Sequence, residues 1–159
     1  MRRRTLPSRR GATLIEVMVI VIALGLAVPP ALQLLDSAAA SRADSVNATR
    51  AALLATSVME TVIADVDSDD PGLGFDALAD DATYLAGLAT RAAPVTDAYA
   101  GLKLTYQVTI GPLSQADGTV SGDADLDVYR RITVTARYPS ATGGTVSMPV
   151  HAIVTDLTP

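Results

Sequence analysis

The sequence predicts an α+β chain: a long N-terminal helix, half membrane segment and half amphipathic, packed on a small antiparallel sheet of about three strands. Three observations predict it. An apolar run fills residues 14–35, apolar residues recur every fourth position from 54 to 66, and strict alternation of apolar and polar residues occupies three segments after residue 102. At 159 residues the chain has the length of one domain. Five tyrosines and one phenylalanine are its only aromatics, so the core must be built from Val, Leu, Ile and Ala. With no cysteine, disulfides, thiolate nucleophiles and cysteine-ligated metals are excluded.

Residues 1–11 form a basic leader carrying Arg2, Arg3, Arg4, Arg9 and Arg10. Beyond it stand seven basic and seventeen acidic residues, a net charge of −10. So acidic a remainder is a poor partner for nucleic acid, and no direct nucleic-acid contact is expected.

Residues 12–36 read as the membrane segment. The apolar run at 14–35 is interrupted by Glu16, Pro29, Pro30 and Gln33. As a helix it reaches about 33 Å, enough for a hydrocarbon core of about 30 Å. Arginines precede it and the next basic residue is Arg42, which orients the start to the cytoplasm and the remainder outside. Pro29 and Pro30, with Gly25 upstream, are expected to break the helical ladder. A carboxylate at position 16 costs about 2.5–3.5 kcal/mol inside a bilayer, unless it lies near the interface and reaches water.

The run Arg9-Arg10-Gly11-Ala12-Thr13-Leu14-Ile15-Glu16-Val17-Met18-Val19 resembles the processing signature of type IV prepilin-like proteins, the minor pilins and type II secretion pseudopilins. The resemblance implies cleavage between Gly11 and Ala12 by a membrane prepilin peptidase, and methylation of the new terminus. Ala12 stands where the family usually has Phe. It implies that Glu16, fifth in the mature chain, pairs with the terminal amine of a neighbouring subunit during assembly. It further implies a single-pass protein of the bacterial inner membrane, whose partners are other pilin or pseudopilin subunits, the peptidase, the inner-membrane assembly machinery and membrane lipid. A competing reading takes Ala38-Ala39-Ala40-Ser41 as a signal-peptidase site that releases a soluble binding module starting at Ser41.

Residues 37–66 read as an amphipathic helix. Leu54, Val58, Val62 and Val66 form its stripe, Met59 and Ile63 lie beside it, and Arg42, Asp44, Arg50 and Glu60 lie mostly off it. Residues 67–101, rich in Asp, Ala and Gly, read as a variable acidic loop with one short helix near residues 76–88.

Residues 102–159 carry the sheet. Leu102, Leu104, Tyr106, Val108 and Ile110 alternate with polar residues; so do Ile132, Val134, Ala136 and Tyr138, and then Val146, Met148, Val150, Ala152 and Val154. The turn-rich link at 139–144 predicts a hairpin between the second and third strands. Pro149 cannot donate to a ladder and assigns the third strand to an edge.

No catalytic constellation is visible. His151, the sole histidine, falls on the polar face of its strand, and Gly72-Leu73-Gly74 follows an acidic run rather than a strand, so its carboxylates would repel a pyrophosphate. The chain is expected not to be an enzyme and to need no cofactor. Two acidic clusters have ligand-like spacing for Ca²⁺: Asp65, Asp67, Asp69 and Asp76, and Asp123, Asp125 and Asp127. The first lacks the loop glycine and closing Glu of a calcium loop, the second has no acidic closing residue, and a solvated acidic loop is the simpler reading of each.

Overall fold

The computed structural model describes residues 13–156. Gly11, Ala12 and the leader arginines lie outside the described residues. Two compact units follow one another along the chain, residues 1–41 and a head of residues 42–159. The described elements are helix α1 (Leu14–Val66), a 3₁₀ turn (Asp76–Ala79), helix α2 (Asp81–Ala100), and strands β1 (Thr105–Ser114), β2 (Tyr129–Pro139) and β3 (Thr145–Thr155). This is the predicted α+β plan of a long N-terminal helix and a three-stranded antiparallel sheet.

Within the head, the α1 stripe and the inner face of the sheet make the core. Ala51, Leu54, Ala55, Val58, Met59 and Val62 of α1 are buried with Ile132, Val134, Ala136 and Tyr138 of β2. Each fully buried Leu, Ile or Val contributes about 1.5–3 kcal/mol. Ala51, Ala55 and Ala136, all fully buried, keep the packed surfaces shallow. Of the two residues beside the stripe, Met59 is buried and Ile63 is 40% exposed, because the buried face runs through 58, 62 and 65.

The sheet order is β1-β2-β3, antiparallel throughout. In the first pair Val108 faces Val134 and Ile110 faces Ile132; in the second Val134 faces Val150 and Ala136 faces Met148. Pro149 sits opposite Thr135 on an edge strand, as its missing N–H requires. The predicted hairpin is present, and Gly143 and Gly144 close it at φ 100° and 85°, a region only glycine enters without strain. A bulge interrupts β1 between Ile110 and Leu113. A side chain at Gly111 would meet the Arg131 carbonyl oxygen at 3.1 Å, which explains the glycine beside Pro112.

Three expectations are corrected. Pro29 and Pro30 do not break the helix: α1 runs through them, and continues past residue 36 as expected. Two missing donors leave the carbonyls of Gly25 and Leu26 without their usual partners, while the bonds on either side carry the helix on. The acidic loop is much shorter than residues 67–101, because α2 takes twenty of those residues. Asp80 caps α2, its carboxylate accepting from the Thr83 N–H at 3.2 Å and the Thr83 hydroxyl at 2.7 Å. Tyr84, Leu88 and Ala92 then bury one face. Finally, β1 starts at Thr105, so Leu102 lies in the turn after α2 and is 41% exposed, whereas Leu104 is buried.

Candidate functional site

The first half of α1 is apolar and exposed along its length. Fourteen large apolar side chains between Leu14 and Leu35 are solvent-facing, among them Leu14 at 79% and Ile15 at 74%. Its most apolar window has a mean hydropathy of 2.3 with nothing buried. A soluble monomer rarely leaves so large an apolar surface uncovered. By length and composition this helix is able to cross a membrane.

Glu16 stands in its first turn. The Thr13 N–H donates to Glu16 Oε2 and the Glu16 N–H donates to Thr13 Oγ1, both at 3.4 Å. This is the reciprocal arrangement of a capping box, loosely drawn, and it satisfies two donors of the helix start. The Thr-x-x-Glu spacing was the readable signal for it. The carboxylate and the apolar surface are thus on one element.

The acidic residues singled out by spacing have diverse partners. Asp65 is buried on the inner stripe of α1 and accepts from Arg91 of α2, Nε lying 3.0 Å from both oxygens and Nη2 2.8 Å from Oδ2. The Tyr84 hydroxyl donates to the same carboxylate at 2.9 Å. Burial first, and then the bond to Asp65, push the Tyr84 phenol well above its ordinary pKa. Asp67, Asp69, Asp70 and Asp76 line an open cleft of about 580 Å³ beside Phe75, Thr155 and Asp156. Asp65 does not line it.

In the second cluster, Asp127 is buried under donors: the Ser121 N–H at 3.0 and 3.1 Å, the Ser121 hydroxyl at 3.0 Å and the Gly122 N–H at 2.8 Å. Asp123 accepts the Asp125 N–H at 3.0 Å. Among the described residues, no three acidic or histidine side chains stand close enough together to hold a metal ion. His151 Nδ1 is 2.9 Å from Thr133 Oγ1 on the exposed outer face of the sheet.

The Asp127 contacts have a pH signature. The Ser121 amide, ahead of the Gly122 amide and the Ser121 hydroxyl, holds the Asp127 carboxyl below its ordinary value of 3.8. A depressed folded pKa gives stability that is present above pH 3.8 and lost as pH falls through the lower folded value. The loop at 115–128 is expected to stay protected from amide exchange at pH 5 and to lose the Ser121 and Gly122 protection only in acid. In Asp127→Asn, protection of those two amides should already be reduced at pH 5.

The register aligns Ser114, Tyr129 and Thr155 at one end of the sheet, where the 67–76 cleft and the 115–128 loop lie. Asp67, Asp69, Asp70, Asp76, Asp117, Asp123, Asp125, Asp127 and Asp156 belong to that end. Thr105, Arg137 and Ser147 align near the other end, where the hairpin turn is fastened to α1 by Asp44. Asp44 accepts from the Ser140 hydroxyl at 2.8 Å and the Ala141 N–H at 2.7 Å. Nothing in the sequence pattern pointed to that tie, which spans 96 residues.

Compared with family models, curated proteins and solved structures, the chain matches none.

Proposed function

We propose that this chain is a structural subunit, a minor pilin or pseudopilin, of a type IV pilus or type II secretion-type filament. It acts by assembly rather than catalysis. One observation carries the reading: Glu16 lies in the first turn of α1, whose apolar N-terminal half is exposed, five residues after Gly11 and its run of arginines. A lone carboxylate on such a helix is costly in lipid and tolerable when paired with a buried cation. The amine created by a cut after Gly11 is such a cation, and packing many such helices together brings one subunit's amine to another's Glu16. The leader arginines support an N-terminus on the cytoplasmic side of the inner membrane, with the head beyond it.

The competing reading is a secreted binding module cut after Ala40, favoured by the start of the compact head at Arg42. Intact mass and N-terminal sequencing of the membrane fraction separate the two. A chain starting at Ala12, with or without a methyl group, is the expected result; a chain starting at Ser41 overturns the assembly reading. Gly11→Arg should leave the leader attached in cells that carry the peptidase, with the cut form reduced at least about tenfold. Cutting that continues at the normal level means the site is elsewhere.

A further inference from the structure

The outer face of the sheet carries cations and no carboxylate. Odd-numbered residues form it, because Val108, Ile132, Val134 and Ala136 turn inward to the core. From the Arg131–Ile153 rung to the Thr105–Arg137–Ser147 rung, its positions are Arg, His, Thr, Ser, Gln, Pro or Ile. Arg131 and Arg137 stand at the two ends of its midline, both exposed, and neither has a carboxylate partner among the described residues. Gly118 keeps the approach to Arg131 open, since a Cβ there would stand 2.9 Å from Nη2. The hollow around that guanidinium, about 190 Å³, is otherwise lined by neutral residues, Thr109 and Thr133 among them. At the other corner, Lys103 shares a depression with Arg137 that no carboxylate lines.

The rest of the head is acidic. Residues 42–159 hold seven basic and fifteen acidic residues, a net charge of −8. Asp67, Asp69, Asp70 and Asp76 line one open cleft, and no cation pairs with them among the described residues. Two copies meeting face to face, or cleft to cleft, set like charges together, which is repulsive. The face of one copy against the cleft of another sets unlike charges together. Such a contact uses different surfaces on the two partners, so it repeats along an open row of subunits unless its rotation closes a ring. The rungs from Arg131 to Arg137 cover about 14 Å by 20 Å, roughly 300 Å², where a stable complex buries about 800 Å² per partner. The contact is too small to hold free heads together and becomes effective between chains already held side by side.

We propose that the outer sheet face of one head docks on the aspartate cleft of a second copy of this chain. Arg131 and Arg137 supply the cations, Asp67, Asp69, Asp70 and Asp76 the anions, and the threonine hydroxyls between the arginines donate to the remaining carboxylate oxygens. The inference rests on the assembly reading above, in which packed α1 helices bring heads together, and adds which surfaces meet.

Lys103 is the only lysine in the chain, so a carbodiimide, which joins an amine to a carboxylate in contact with it, reports on this corner of the face. Isotope-labelled and unlabelled full chains are mixed in lipid vesicles, treated with the reagent and mapped by peptide mass. Label-mixed peptides joining Lys103 to residues 67–76 are the expected result, since only links between copies mix the labels. Arg131→Glu with Arg137→Glu should reduce them at least about fivefold. Mixing that reversed face with a chain carrying Asp67→Arg and Asp69→Arg should restore links to Asp70 and Asp76, which a merely misfolded variant does not do. Links unchanged by the reversed face, or running from Lys103 to other carboxylates such as Glu60, overturn the docking. Leu24→Cys, Leu26→Cys and Val28→Cys, made one at a time in a chain without cysteine, report helix packing as disulfide dimers in the same vesicles. Dimers without the Lys103 links overturn the docking and leave helix-driven assembly standing. Absence of both overturns the assembly reading, and the docking with it.

Discussion

Arg91→Met is expected to destabilise the head by about 2 kcal/mol, lowering its melting temperature by roughly 10 °C. The arginine is one of two side chains that donate to the Asp65 carboxylate, the Tyr84 hydroxyl being the other. The Asp65 side chain is 7% exposed and that of Arg91 32%. Removing the guanidinium leaves a buried anion with a single hydroxyl donor, and breaking a fully buried pair costs about 3–5 kcal/mol. The lower figure follows because Arg91 is about a third exposed, where solvent already screens the interaction. The guanidinium also stacks over the Tyr84 ring at 5.4 Å, so packing is lost with charge. The double change Asp65→Leu with Arg91→Met should recover most of the loss, since no orphaned charge remains. Equal destabilisation in the single and double variants, by thermal or urea unfolding, would show that packing alone matters here. The same cluster predicts an alkaline limit. Because the folded Tyr84 pKa is raised, its contribution is complete below pH 10 and declines as pH rises above it.

Asp65 also shows where sequence reading ends. Its spacing with Asp67 and Asp69 looks like a ligand series, yet it follows Val58 by seven positions and Val62 by three, which puts it on the apolar face of α1. Helical phase was the stronger signal, and an acidic residue on a core stripe announces a partner. That partner, Arg91, lies in α2, beyond the short helix near residues 76–88 that composition suggested. Ala and Gly weaken the apolar pattern there, and Pro94 argues against a helix interior, so the helix was read too short and its buried face of Tyr84, Leu88 and Ala92 was not identified. The strands were plain because each keeps its period of two for five or more residues, and a one-residue slip would invert every face. Pro149 alone identified the edge. Contacts such as Asp44 with the hairpin turn follow from tertiary placement and leave no local pattern.

Glu16→Leu is expected to produce a chain that is cut after Gly11, stays in the membrane, and joins filaments at least about tenfold less often. Replacing a carboxylate by leucine on an apolar helix removes a desolvation cost, so insertion is unimpaired or improved. Within the subunit, the change removes only a loose bond of 3.4 Å to the Thr13 amide, a small loss beside the apolar run that follows. Between subunits the balance reverses. A terminal amine brought into a bundle of apolar helices has no anion to meet, and an unpaired buried cation costs several kcal/mol, enough for the tenfold effect. Glu16→Asp should give an intermediate level, because the charge is retained on a shorter arm. Counting labelled subunits in sheared filaments against those left in the membrane measures the partition directly. Incorporation of Glu16→Leu at the unsubstituted level would remove the ion pair as the basis of assembly while leaving the apolar helix as the membrane anchor. Failure of both insertion and assembly would place the role of Glu16 earlier, at targeting or processing, and the N-terminal mass of the accumulated chain tells which.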